Sequence, residues 1–353
     1  MATPLPIDLD AVKTFLIGLL NTPSPTGFTD RAIDYVERAF RGLSLEAHRT
    51  AKGALVVEWA GRPGASAHAP RSLTAHVDTL GAMVKEVKEN GRLKLTKIGG
   101  FAWNTVEGEG CTVYTASGDA VRGVLLVTKA SGHIFAGETE SMKRDDDGME
   151  VRLDVRSHSE KETHAVGVAV GDFVAFDPRV EAGPAGFIRS RHLDDKAGVA
   201  CLFGAAKALL EAGEMPAQRT TIHFSHYEEV GHGAAAGIPA DVVELLAVDM
   251  AAVGQGQASD EFSANICVKD SGGPYHLAMR NRLVELAVAA AIPYRLDIYP
   301  YYGSDGEAYW RAGGDVRVGL VGPGVDASHN YERTHLESLK ATAQLAAEYI
   351  RAE

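Results

Sequence analysis

The chain predicts an α/β fold: a mostly parallel sheet with helices on both faces, interrupted by a small all-β insert. Three observations carry this reading. Beyond residue 190, apolar runs of strand length alternate with helical patterns, which implies a parallel sheet covered by helices. From about 84 to 180 the texture changes to short alternating runs separated by Gly and Asp-Gly turns. The length, 353 residues, allows about two domains at roughly 150 residues each. The economical partition is one α/β domain, 1–82 with 182–353, and an inserted β domain, 84–180.

The elements follow in order. Val12, Phe15, Leu16, Leu19 and Leu20 recur at helical spacing over 8–20, and Pro23 and Pro25 end that helix. Ile33, Val36 and Phe40 mark a second helix at about 29–41, and short strands follow near 44–50, 54–59 and 72–77. In the insert, Arg92–Lys97, Val121–Thr128, Glu150–Val155 and Phe173–Phe176 read as strands, with Asp147-Gly148 as a hairpin turn and Asp145–Asp147 as its solvated tip. Val199, Leu202, Phe203, Ala206, Leu209 and Leu210 define a long helix over 195–211, closed by Gly213. Strands are expected at 219–227, 245–249, 263–268 and 316–321, and helices at 274–291, 304–312 and 336–351.

Composition excludes several classes. Hydrophobic residues at 45% and charged residues at 23% are ordinary for a globular chain and argue against disorder and coiled coil. A net charge of −12 disfavours nucleic acid as a partner. No apolar run approaches the roughly 18 residues of a membrane span, and the first residues show no signal peptide. Cys111, Cys201 and Cys267 lie far apart, which fits a reducing compartment; the expected location is the cytoplasm.

Five polar sites share one placement, each where an apolar strand ends. They are His76-Val-Asp78, His192-Leu-Asp194-Asp195-Lys196, Glu228-Glu229, Asp249 and Ser328-His329. Strand carboxyl ends in a parallel sheet converge on one edge, where such proteins bind ligands. A lone His-x-Asp or Glu-Glu is most often a surface pair. Asp249, inside Leu-Leu-Ala-Val-Asp-Met-Ala-Ala-Val, is harder to dismiss, because an unpaired buried carboxylate is costly.

Together the five fit two divalent metals with mixed nitrogen and oxygen ligation. Asp194, where a helix starts, is the natural carboxylate to bridge both ions around a shared water. His76 and His329 would each cap one ion, and Asp78 would orient the His76 ring. One of Glu228 and Glu229 would bind metal, and the other would take the proton from the attacking water and return it to the leaving amine.

The segments resemble the tetrahedral, TET-type family of dinuclear metallo-aminopeptidases, also called glutamyl or deblocking aminopeptidases. Thr74-Ala-His-Val-Asp-Thr-Leu-Gly-Ala-Met-Val resembles the first metal motif of that family. Arg92-Leu-Lys-Leu-Thr-Lys-Ile-Gly-Gly-Phe and Gly167-Val-Ala-Val-Gly-Asp-Phe-Val-Ala-Phe-Asp-Pro resemble the ends of its PDZ-like dimerisation insert. Leu193-Asp-Asp-Lys-Ala-Gly, Glu228-Glu-Val-Gly, Val248-Asp and Gly303-Ser-Asp-Gly resemble later motifs. The chain is also similar to a subgroup associated with the osmoprotectant N-acetylglutaminylglutamine amide.

The resemblance implies metal ligands at His76, Asp194, Glu229, Asp249 and His329, with Asp194 bridging, and Glu228 as base. It implies zinc or cobalt, or manganese, and a homo-oligomer built from dimers, up to a dodecamer. It also implies an unusual peptide geometry at Asp195. The chain departs from the family pattern at Thr79, at Lys196 and over Ser328–His335. His329 is favoured over His335 as the ligand because it lies nearer the strand end; His335 falls where the last helix begins.

Other candidates read as structural. His223 and His226 lie on the strand before the Glu pair, and His232 sits in a Gly-rich turn with a possible contact to substrate. Asp305 is an N-cap or a support for the site, and His133, in the insert, has no assigned role.

The leading function is removal of N-terminal residues from short peptides. The alternative is deacylation or amide hydrolysis of an acylated or amidated dipeptide-like molecule at the same centre. A glycosidase needs two carboxyls flanking one bond, whereas neighbouring Glu228 and Glu229 on a strand would point to opposite faces. A non-enzymatic binding module built on the insert would leave the metal motifs idle.

Overall fold

The computed structural model describes residues 3–65 and 69–353. They form two compact units, Met1–Asp78 with Arg179–Glu353, and Thr79–Pro178.

The first unit is built on a twelve-stranded sheet. Its centre is parallel: Thr220–Ser225, Arg71–His76, Glu244–Val248 and Arg317–Asp326 lie side by side, with Ser225 opposite His76 and Val248 opposite Val321. All residues of Thr220–Ser225 and Arg71–His76 are buried, the expected state of strands covered on both faces. Antiparallel strands flank this centre: Leu55–Trp59 and Glu46–Arg49 on one side, and Glu332–His335, Phe187–Ser190 and Glu181–Ala182 on the other.

Helix Leu193–Glu211 is buried almost all round because it is flanked by Leu9–Leu20 and Leu336–Arg351. Gly204 permits the close approach to the first helix: a Cβ there would meet Val12 Cγ2 at 2.6 Å. Phe203 stacks on Phe15 at 4.4 Å between ring centres. Asp8 caps the first helix by accepting the Ala11 N–H at 3.0 Å. The fully buried Lys196 donates to the carbonyls of Leu19 and Thr22 at 3.0 and 2.7 Å, satisfying the end of that helix. Burial pulls the Lys196 pKa down to about 7.

The strand expected to stop near 321 runs to Asp326. Gly322-Pro323-Gly324 reads as a break, yet a Cβ on Gly322 would lie 1.6 Å from the Asp249 carbonyl oxygen, and one on Gly324 2.0 Å from that of Asp260. The glycines are there because neighbouring backbone packs directly on the strand. Short strands at Ala251–Val253 and Tyr294–Ile298 extend the sheet beyond the sequence expectation.

The second unit is a closed antiparallel barrel in the order Gly81–Val87, Leu93–Ile98, Met149–Leu153, Ala120–Val127, Gly110–Tyr114, Phe173–Phe176. Its own core includes Leu93, Cys111, Val113, Leu125, Val151 and Val174. It is not wholly β, since short helices occupy Gly132–Phe135, Gly137–Ser141 and Glu160–Ala165.

The acidic run is not a free hairpin tip. Asp145 accepts the Asp147 and Gly148 N–H groups, the Trp103 indole donates to Asp146 at 2.7 Å, and Lys94 pairs with Asp147. This side-chain turn leads into strand Met149–Leu153 from a helix, where a two-strand hairpin was expected. Among the described residues, no helix is long and apolar enough to cross a membrane.

Candidate metal centre

The parallel strands deliver the polar groups to one edge, as the topology of such sheets requires. His76 ends its strand, and its Nδ1 lies 2.9 Å from the Asp78 carbonyl. A carbonyl only accepts, so Nδ1 carries the proton. Nε2 faces Asp194 Oδ1 at 3.1 Å and is the ring nitrogen that would serve a metal once it has given up its proton.

The Asp78 carboxylate does a different job from the one expected of it. It lies 3.7 Å from His76 Nδ1 and accepts instead from the backbone N–H groups of Glu228 and Glu229, each at 3.2 Å, and from the Thr26 hydroxyl at 2.7 Å. The ring is oriented by the Asp78 backbone, and the side chain anchors the Glu pair.

That anchor explains the largest local departure from expectation. Glu228 and Glu229 do not continue a strand. Tyr227 adopts a left-handed backbone (φ 78°) and Glu228–Val230 forms a single 3₁₀ turn. Both side chains therefore approach the same site: Glu228 Oε2 is 3.8 Å from His76 Nε2, and Glu229 Oε2 is 3.5 Å from His329 Nε2.

Asp194 lies between the two imidazoles, 3.1 Å from His76 Nε2 through Oδ1 and 3.3 Å from His329 Nε2 through Oδ2. The Asp194–Asp195 peptide is cis. Asp195 turns away from the cluster and accepts the N–H groups of His76 and Gly198. Asp249 follows strand Glu244–Val248, its own N–H held by the Val321 carbonyl at 3.1 Å.

Two overlapping triads result. Ligand atoms of His76, Asp194 and Asp249 lie within 4.8 Å of one another, and so do those of Asp194, Glu229 and His329. Asp194 belongs to both.

The cluster's electrostatics are dominated by burial and by its own charges. Burial first, and then Asp194, pushes Asp249 up to about 8. Burial first, and then neighbouring carboxylates, raises Glu228 and Glu229 well above the carboxylate range, against the opposing pull of His76 on both and of His329 on Glu229. Burial would lower His76, but Asp194, Glu228 and Asp249 together raise it well above the usual imidazole value. Asp194 is the exception: burial opposes its charge, yet contacts with His329 and His76 hold it below the ordinary range. An acid-rich, buried donor set of this kind is relieved by cations, and its mix of imidazole and carboxylate suits a divalent transition metal.

The cluster borders a cavity of about 360 Å³ lined in part by Asp194, Glu228, Glu229, Asp249, Tyr302 and His329.

The remaining candidates separate cleanly. His335 caps the last helix, accepting the Glu337 N–H at 3.1 Å, while its Nε2 meets the Ala185 carbonyl at 2.8 Å. His223 is buried against Thr74, and burial pulls it down to about 3. His226 is tied to Gly27 and Thr29 and stacks on Tyr227, which stacks on the exposed His232. Asp305 accepts from Ala234 N–H at 2.7 Å, from Thr74 at 3.2 Å and from Ser225, so it binds the Gly-rich turn to two central strands. His133 lies exposed on a short helix of the barrel unit.

One group was not anticipated. Glu332, buried on strand Glu332–His335, accepts the Asp194 N–H through Oε2 at 3.2 Å and the His329 N–H through Oε1 at 3.0 Å. Burial first, and then Asp194, raises it to about 8. Its spacing, three residues after His329, was the available sequence signal.

Comparisons with known proteins give the family and the fold. The family model described as M42 glutamyl aminopeptidase matches residues 53–345. The chain is 50% identical over 338 residues to "Putative aminopeptidase YhfE" of Bacillus subtilis (strain 168), covering 94% of this chain and 95% of that one. Among solved structures it is similar to aminopeptidase APDkam598 from the archaeon Desulfurococcus kamchatkensis, with TM-score 0.86, 22% identity and coverage of 97% and 95%. It is also similar to the TET1 peptidase of Pyrococcus horikoshii, described as assembling into a tetrahedron or a large octahedral shell, with TM-score 0.84, 20% identity and coverage of 97% and 100%. At these identities the structural likenesses establish the fold.

Proposed function

The chain belongs to the M42 glutamyl aminopeptidase family and is a peptide hydrolase; on that premise we propose that it is a dinuclear metal aminopeptidase acting on short peptides. The observation that carries the reading is the pair of triads sharing Asp194.

His76, Asp194 and Asp249 would hold one ion, and Asp194, Glu229 and His329 the other. Zinc or cobalt suits these donors best, and manganese fits as well. Two such ions supply Lewis acidity toward the scissile carbonyl and lower the pKa of the attacking water.

The protein's own groups do the rest. Glu228, not needed in either triad, takes the proton from the water and delivers it to the leaving amine. Asp78 keeps Glu228 and Glu229 in the turn that aims both at the site. The proposed state is a cytoplasmic homo-oligomer in which the barrel unit supplies contacts between subunits; the Pyrococcus peptidase, which builds shells, supports the assembly.

The test is hydrolysis of free and N-acetylated di- and tripeptides, and of peptide p-nitroanilides, before and after chelation. Loss of activity with chelator, restored by zinc, cobalt or manganese and confined to free amino termini, is expected. Chelator-insensitive hydrolysis would overturn metal use, and a preference for acetylated substrates would make the enzyme a deacylase.

A further inference from the structure

One border of the sheet is strand Tyr294–Ile298, which pairs with Ala264–Lys269 alone among the described residues. The pairing is parallel. The Ala264 N–H donates to the Pro293 carbonyl at 2.9 Å and the Tyr299 N–H to the Lys269 carbonyl at 3.0 Å. Alternate residues of a parallel strand direct both backbone groups to the same neighbour. Arg295 and Asp297 therefore face the sheet, while Tyr294, Leu296 and Ile298 turn their N–H and C=O groups to the open side.

The outer two are met locally. The Ile298 N–H reaches Asp297 Oδ1 at 2.8 Å, the Ile298 carbonyl accepts from Gln257 at 2.7 Å, and the Tyr294 carbonyl accepts from Arg295 at 3.2 Å. The central Leu296 is left to present both groups outward. Leu296 is 41% exposed and Ile298 52%, so the border is apolar as well as open. Such an edge is a template for another strand.

The sequence of the strand says which one. Tyr-Arg-Leu-Asp-Ile is self-complementary when read against its own reverse. We propose that Tyr294–Ile298 pairs antiparallel with the same strand of a second copy of this chain, across a two-fold axis at Leu296.

In that register the two Leu296 residues exchange N–H···O=C bonds. Arg295 of each copy faces Asp297 of the other, and Tyr294 faces Ile298. Opposite charges directly across an antiparallel pair stabilise it, and like charges destabilise it. The charged side chains are already braced on one face: Arg295 holds Asp260 at 2.8 Å, and Asp297 accepts the Ser259 N–H at 2.8 Å. Because the contact is isologous, a single strand completes both halves of the interface. The strand belongs to the first unit and not to the barrel unit invoked above.

The test uses the full chain carrying Leu296→Lys or Leu296→Glu, at a position exposed enough to accept either, with peptide hydrolysis and circular dichroism confirming that each variant folds. Sedimentation at micromolar concentration should show each variant at no more than half the mass of the wild-type assembly, since like charges meet on the axis. An equimolar mixture should regain the wild-type mass, because Lys then faces Glu. Variants that keep the wild-type mass, or a mixture that stays small, would overturn the pairing; the first would leave this edge to an extended peptide from another protein. A wild-type monomer would sink both this contact and the proposed assembly, whereas an assembly indifferent to Leu296 sinks this contact alone. Neither result bears on the peptidase reading.

Discussion

The two triads that share Asp194 are held in different ways. His76 and Asp249 grow from the ends of central parallel strands, both almost wholly buried, with their backbones fixed by the sheet. His329 sits in a loop beyond strand Arg317–Asp326, with a left-handed backbone (φ 62°) and a side chain 40% exposed. Its place beside Asp194 rests on Glu332, which grips the N–H groups of both residues. A parallel sheet edge holds its polar side chains rigidly without further help. A triad member on a loop needs a brace, and here a buried carboxyl group provides it.

Replacing the shared residue should erase the contrast. Asp194→Asn is expected to lose both ions and all measurable peptidase activity, with elemental analysis as the check; two retained ions would remove Asp194 from the bridging role. Glu228→Gln spares both half-sites and should keep two ions while kcat falls by about 10²–10⁴-fold. Near-normal turnover at full metal content would exclude Glu228 as the base.

The difference between the halves is read most directly at the histidines. His329→Ala should retain the ion on the strand-held side and lose the other, whereas His335→Ala should keep both, and metal stoichiometry decides between them. The smallest effect is expected at the brace. Glu332→Gln keeps the shape but leaves one acceptor oxygen for two N–H donors, so titration calorimetry should show the affinity for the loop-side ion down by about 10- to 100-fold. An equal loss at both sites would mean that Glu332 supports Asp194 and not the loop.

Much of this was legible in the sequence where one local rule governs. The apolar strand followed by a polar group pointed to His76, the Asp194-Asp195 pair, the Glu228-Glu229 pair, Asp249 and His329 at one edge, with the choice within each pair left to the family resemblance, and the helical periodicities of 8–20, 195–211 and 336–351 correspond closely to observed helices. What escaped depends on partners distant in the chain. The Glu228-Glu229 turn is set by Asp78, and the Gly322-Pro323-Gly324 strand by backbone packed against it. Glu332 offers only its spacing from His329 as a signal, and its role depends on the contact with Asp194, distant in the chain. Tyr294–Ile298 alternates as a strand should, but its apolar side chains remain exposed, and burial is what makes alternation conspicuous.

The strand order also bears on biosynthesis. Arg71–His76 lies between Thr220–Ser225 and Glu244–Val248, and the parallel centre is closed by Arg317–Asp326, near the far end of the chain. A nascent chain emerging amino end first therefore exposes His76 long before its neighbours in the sheet exist. On the metal reading, a ribosome-bound chain offers only scattered ligands, and the loop-side set is last to be completed. The complete set of candidate ligands exists only in the finished fold.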